Sequence, residues 1–388
     1  MPRRQVTAHP PRPIAPGDVV ACFADELGEW SAAQITDLNV SWKTAGVLEL
    51  DWSGPEPESV ADLGRVSPLV RTHHAWAGTA SHTNYPWVLP RSCKVIGSLP
   101  LLRETRSDAY SSDWKVGMQL TLQRQWDRGD RDAKGLAGEI KLDGSQLDAF
   151  IVENRGADIR SLKVEDVRAL DCARLVEAFP RLKDLILGGR LGTLENAISL
   201  NRLSSLKALG ISNLFGMTKS DCLLPDAVPA LEWLVLHSVP REYGSAMRSV
   251  WAPELTKGCF LAITALRSPE WLAENIDNPL RDWDGREHIS AAKFRKSVAQ
   301  YKATRRAVLG VLADPPDDRK ARLIDLGREY GTAFNKLARG DDFIETEERE
   351  ELFAALMAIP DTAASLSDEA TEAAAGWLAQ GLEETRDW

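Results

Sequence analysis

Leu182-Lys183-Asp184-Leu185-Ile186-Leu187 is one of four stretches with the frame L-x-x-L-x-L, in which isoleucine or valine replaces leucine. The others are Ile159-Arg160-Ser161-Leu162-Lys163-Val164, Leu206-Lys207-Ala208-Leu209-Gly210-Ile211 and Leu231-Glu232-Trp233-Leu234-Val235-Leu236. They begin 23, 24 and 25 residues apart. Spacing this even is internal repetition with a period in the range of roughly 20–29 residues. Each L-x-L tail reads as a short strand whose apolar side chains face inward. The intervening residues read as a helix or loose turn behind it, and Leu170, Leu175, Val176 and Phe179 fit such a helix. One unit cannot bury its apolar face alone, whereas stacked units build a continuous core. A fifth, degenerate unit is expected between Leu255 and Leu266.

Over roughly residues 155–266 this pattern resembles the leucine-rich-repeat family. The resemblance implies a short solenoid that binds through its concave face, where parallel strands present outward side chains in register. The outward positions are Lys163, Ile186, Gly210 and Val235, with Lys183, Asp184, Lys207, Glu232 and Trp233 beside them. That mixture of apolar and charged groups suits a protein surface better than a phosphate backbone. The family's strand-end asparagine is mostly missing, and only Asn213 stands where it would serve.

Upstream, Val19-Val20-Ala21-Cys22-Phe23, Trp30-Ser31-Ala32-Ala33-Gln34-Ile35 and Gly46-Val47-Leu48-Glu49-Leu50-Asp51-Trp52 read as short strands between Gly- and Pro-rich turns. Their order is similar to the Tudor and related SH3-like barrels over about 50 residues. The resemblance implies an aromatic cage for a methylated cation at Phe23, Trp30 and Trp52, acting through cation–π attraction. A fourth cage aromatic is missing where Glu49 and Leu50 stand, and Gly54 replaces the family's usual turn asparagine. Trp30 and Trp52 are alternatively plain wall residues.

Residues 70–150 carry Trp76, Trp87, Trp114 and Trp126 and read as strands and turns, with Trp114–Leu122 as a further strand. After Ser268 the period becomes helical. Helices are expected over Ser290–Leu312, Ala321–Leu337, Thr346–Ile359 and Ser367–Leu382, with a capping box at Ser365–Asp368. The fold class is therefore a multi-domain α/β chain. It comprises a disordered arm (1–16), a Tudor/SH3-like small β-barrel (17–70), a tryptophan-rich linking or capping module (71–154), leucine-rich repeats (155–267) and an α-helical bundle (268–388).

Composition narrows the function. The 388 residues carry a formal net charge of −10, which argues against a broad electrostatic grip on nucleic acid or anionic lipid. No uninterrupted apolar run approaches the roughly 18 residues of a membrane span. Cys22, Cys93, Cys172, Cys222 and Cys259 are scattered, which predicts reduced, buried thiols, a cytoplasmic setting and no cysteine-bound zinc. No P-loop, nucleophile elbow, H-E-x-x-H or dinucleotide fingerprint is present. His73 and His74 are adjacent and, if extended, point to opposite faces, so they make a poor metal pair with His82. A dyad of Cys93 with one of these histidines has nothing specific behind it. Asp282, Asp284, Glu287 and His288 form the densest polar cluster but lack the rest of a calcium loop, so a turn between helices explains them more simply. The expected function is a non-enzymatic scaffold or adaptor for a protein partner, with no cofactor, metal or membrane role. The alternative is an enzyme, or its regulatory subunit, with a site in residues 70–150 or at Asp282–His288.

Overall fold

The computed structural model describes residues 12–131, 139–314, 317–340, 343–363 and 366–388. The first eleven residues of the expected arm, and Ser365 of the expected capping box, lie outside them. The chain falls into two compact units, Met1–Ser268 and Pro269–Trp388.

The first unit contains two sheets and a two-stranded ribbon. The N-terminal sheet is antiparallel and uses β1 (Asp18–Ala24), β2 (Glu29–Asn39) and β3 (Thr44–Gly54). After the ribbon of β4 (Val70–Arg71) and β5 (Thr79–Ala80), the sheet is completed by β6 (His82–Pro86) and β7 (Lys94–Ser98). Its order is β6-β3-β2-β1-β7, with β6 and β7 on opposite edges. The closed small barrel expected over 17–70 is therefore corrected to an open five-stranded sheet. Two physical reasons account for this. The chain after β3 turns aside into the ribbon, and the outer strands come from beyond residue 70. In addition, Val19–Cys22, Ser31–Thr36 and Ala45–Leu50 are buried in unbroken runs, so both sheet faces are covered, whereas a small barrel buries mainly one. Val20, Cys22, Ile35 and Val47 pack with Tyr85, Trp87 and Val116 on one face, and Val19, Ala21 and Leu50 pack with Leu63 and Ile96 on the other.

Trp114–Leu122 is not a strand. Helix α1 spans Met118–Asp127 and begins after Gly117, whose φ of 93° suits a residue without a Cβ. The run V-G-M-Q-L-T-L alternates well enough to mimic period two. Its helix start is set by Glu49, distant in sequence, whose carboxylate accepts from Gly117 N at 2.9 Å.

The second sheet is parallel and six-stranded: β8 (Glu139–Asp143), β9 (Ser161–Asp171), β10 (Asp184–Glu195), β11 (Ala208–Phe215), β12 (Trp233–His237) and β13 (Phe260–Thr264). Each neighbouring pair runs parallel, and Leu162, Leu185, Leu209, Leu234 and Leu261 stand opposite one another across it. The expected repeat solenoid is corrected to this sheet, because its strands are not joined by one repeating connection. The links include α2 (Leu147–Glu153), α3 (Cys172–Ala178), short 3-10 turns over Ala197–Arg202 and Lys219–Asp221, and the longer α4 (Arg241–Trp251). One local feature does recur. Two residues beyond the core position of Val164, Ile211, Leu236 and Ile263 stand Asp166, Asn213, Ser238 and Ala265, each with φ between 49° and 55°. Asn213 therefore belongs to a recurring left-handed turn, a conformation asparagine tolerates better than most residues.

The second unit is helical: α5 (Pro269–Asn275), α6 (Ala291–Ala313), α7 (Arg319–Ala338), α8 (Thr346–Met357) and α9 (Asp368–Glu383). Ser290 caps α6 by accepting from Lys293 N, and Ser367 caps α9 by accepting from Ala370 N. Trp283, Tyr330, Phe334 and Phe343 form its core with Leu352 and Leu378. Gly327 on α7 and Gly381 on α9 leave no room for a Cβ, since each faces the other helix's backbone.

Candidate functional site

The parallel register sorts the exposed face of the six-stranded sheet into rows. At the strand starts run Glu139, Ser161, Asp184, Ala208, Trp233 and Phe260. Two residues along run Lys141, Lys163, Ile186, Gly210, Val235 and Ala262. Of the eight positions expected to meet a partner, Asp184 and Trp233 lie in the first row and Lys163, Ile186 and Val235 in the second. Lys183, Lys207 and Glu232 stand just before their strands. A Cβ at Gly210 would crowd Ile186 and Trp233, so this glycine lets those two side chains converge.

The chain itself holds much of this strip. Asp25, in the β1–β2 turn, receives Lys183 Nζ and Lys207 Nζ, both at 2.9 Å. Burial alone would raise the Asp25 carboxyl, but the hydrogen bonds from the two lysines outweigh it and hold its pKa below the usual range. Glu232 accepts from Ser92 N at 2.5 Å and Ser92 Oγ at 3.0 Å, and burial keeps its pKa raised against those bonds. Trp233 Nε1 donates to Ser112 O at 3.1 Å, and Arg91 pairs with Glu254 at 3.0 Å. The first row is thus roofed by the N-terminal sheet's loops.

Between roof and sheet lies a cleft of about 440 Å³. Phe23, Asp113, Trp114, Lys115 and Met118 line one wall, and Lys163, Asp184, Ile186, Trp233 and Phe260 the other. This volume is within the usual range for ligand pockets. Burial pushes the Asp184 carboxyl up to about 6, against the opposing pull of Lys207 and Lys115.

The possible cage shares Phe23 with the cleft, whereas Trp30 and Trp52 lie outside its lining. Phe23 and Trp30 meet edge to face at 6.1 Å, and Trp52 packs around the same apolar cluster as Trp30. The chain's own Lys94 lies over the Trp30 ring at 4.8 Å and pairs with Glu56 at 2.7 Å. A lysine of this protein therefore lies over the Trp30 ring.

Most of the groups named for possible chemistry are engaged elsewhere. Cys22 and Cys93 form a disulfide, because antiparallel pairing of β1 beside β7 brings their Cα atoms to 4.5 Å. The expectation of five free thiols is corrected to three, Cys172, Cys222 and Cys259, all buried. Cys93 is accordingly no nucleophile in this state. His73 and His74 do not diverge: His74 has φ of 51°, which turns their Nδ1 atoms to within 3.0 Å. His82 Nε2 meets Thr36 Oγ1 at 2.8 Å. In the second unit Asp284 accepts from Trp271 Nε1, Arg286 joins Glu347, Glu348 and Glu351 of α8, and His288 meets Glu348 at 3.1 Å. Among the described residues no group of three or more His, Cys, Asp or Glu is arranged to hold a metal ion. No described helix is long and apolar enough to cross a membrane.

One buried acid escaped the sequence reading. Glu49 is fully buried, accepts from Gly117 N and Ser81 Oγ at 2.9 Å each, and has its pKa pushed by burial to about 7. It lies outside the cleft lining, and it ties β3 to the start of α1. An acid inside an apolar strand, at the missing cage position, was the only signal.

Compared with models of known families, with curated proteins and with solved structures, the chain gives no match in any of the three.

Proposed function

We propose that this protein is a non-enzymatic scaffold or adaptor that receives a segment of a protein partner in the cleft over its parallel sheet. One observation carries the reading: Lys163, Ile186, Val235 and Ala262 stand half-buried in one row beside a cleft of about 440 Å³ walled by Phe23 and Trp114. A regular strand array offering apolar side chains between charged ones is a surface suited to an extended peptide. The enzymatic alternative is weaker, since Cys93, His73, His74 and His82, and likewise Asp284 and His288, are tied to partners within the chain. Kinship with leucine-rich-repeat proteins also belongs to this proposal, on the ground of the recurring left-handed turn. The working compartment is proposed to be the cytoplasm, on the three free buried thiols. There the Cys22–Cys93 bond would close only under oxidation.

The test is affinity capture with the full chain, quantified against Ile186→Glu and Val235→Arg. Lys183 and Trp233 are poor sites for this purpose because they hold the roof. Proteins recovered by the wild type should fall at least about tenfold with either variant. An exposed change on α2, Val152→Arg, should leave recovery unaltered. Recovery indifferent to both of these row variants ends the reading.

A further inference from the structure

The charges lining the cleft are not balanced. Carboxylates in the lining outnumber lysines six to three. Most of the acids are answered by the chain itself: Asp25 by two lysines, Asp113 by Lys115 at 3.4 Å, Glu139 by Lys141 at 3.1 Å and Glu232 by the hydrogen bonds from Ser92. Lys163 is in turn neutralised by Glu165 at 2.7 Å. Glu26 stands exposed in the turn after β1. Asp184 differs from all of these. It is a half-buried floor residue whose carboxylate accepts no hydrogen bond and has no lysine, arginine or histidine nitrogen within 4.0 Å among the described residues, so Lys207 and Lys115 act on it only from farther off. Its neighbours in the row, Ser161 and Ala208, carry short side chains that leave space beside it. Ile186 and the Trp233 ring line the same wall.

A desolvated carboxylate without a counter-ion is costly to keep ionised. An incoming cation would recover that cost, and an aliphatic stem would lie on the apolar wall beside it. We infer that Asp184 anchors a lysine or arginine side chain of the partner segment, with Ile186 and Trp233 taking the stem. The inference rests on the proposed protein-binding role and names the chemistry of the partner. Charge complementarity favours this occupant: the cleft is acidic and the chain carries a net charge of −10. A lysine stem of four methylenes matches an apolar wall that leads to a buried acid.

The experiment uses a random 12-residue peptide phage library selected against the immobilised full chain. Enriched peptides are then synthesised and measured by fluorescence polarisation. Peptides whose binding is lost with Ile186→Glu should share a lysine or arginine. Replacing it with norleucine should weaken binding at least about tenfold. Asp184→Asn should cost the same factor for the basic peptide and nothing further for the norleucine peptide. Binding should also weaken as pH falls through about 6, where Asp184 takes up a proton against the facing charges of Lys207, Lys115, Asp113 and Asp25. The norleucine arm needs no variant protein, so it stands even if Asp184→Asn folds poorly. Cleft-dependent peptides without a basic residue, or indifferent to Asp184→Asn, overturn the cation site but leave the binding role intact. Enrichment of no peptide sensitive to Ile186→Glu overturns both.

Discussion

The two sheets of the first unit bury their residues by opposite means. The parallel sheet turns one face inward and fills it with matching leucines, each strand repeating its neighbour. The antiparallel sheet covers both faces, and its buried runs include Ser31, Gln34 and Glu49. Every such polar group needs a partner from elsewhere in the chain: Gln34 bonds to Leu99 O, Pro100 O and Leu102 N, and Glu49 to Ser81 and Gly117. One sheet depends on volume repeated at short range, the other on polar links made at long range.

The sharpest way to break the contrast is to remove volume from the repeated core. Leu209 is fully buried between Leu185 and Leu234. Leu209→Ala should cost about 4 kcal/mol in urea unfolding, and a loss below about 1 kcal/mol would mean that the ladder is not the stabilising core.

The antiparallel sheet should respond to pH. Glu49 titrates near pH 7 in the fold against an ordinary value of 4.5. A raised folded-state pKa contributes stability that is fully present below about 4.5 and is lost as pH rises through about 7. Stability should therefore fall by about 3 kcal/mol between pH 5 and 8. Glu49→Gln, measured by the same denaturant series, should flatten that slope.

A smaller effect is expected from the Cys22–Cys93 link, which closes a loop across 71 residues. Alkylation of unfolded, non-reduced protein should modify three cysteines, and five after reduction. Reduction should lower stability by about 2 kcal/mol. The smallest effect belongs to the roof. Asp25→Ala releases Lys183 and Lys207 from partly exposed pairs, so it should cost under about 1 kcal/mol. Its clearer readout is faster amide exchange in the β1–β2 turn with the parallel sheet unchanged.

Legibility followed the same division. The frame of Leu182–Leu187 and its relatives marked strands of the parallel sheet, because a repeated core announces itself at fixed spacing. β8 carried no such frame and passed unnoticed, although its Ile140 stands opposite Leu162. In the N-terminal sheet the strands near Val20, Ala33 and Leu48 were readable from β-rich runs between turns. The outer strands β6 and β7 were not read as part of it, since nothing local tells His82 to pair with Leu48 or Val95 with Val20. The eight candidate binding positions fall on one region of the sheet. The sequence held no sign that Asp25, Ser92 and Ser112 would claim four of them.

By itself, then, the sequence determined the repeating leucine core, the charge balance and the change to helical period after Ser268, because each is written in neighbours along the chain. Tertiary structure alone decided the open sheet, the roofed row, the Cys22–Cys93 link and the half-buried, unpaired carboxylate of Asp184. Each of these depends on groups roughly 35 to 180 residues apart meeting in space, and the free energy of such meetings leaves no local pattern to read.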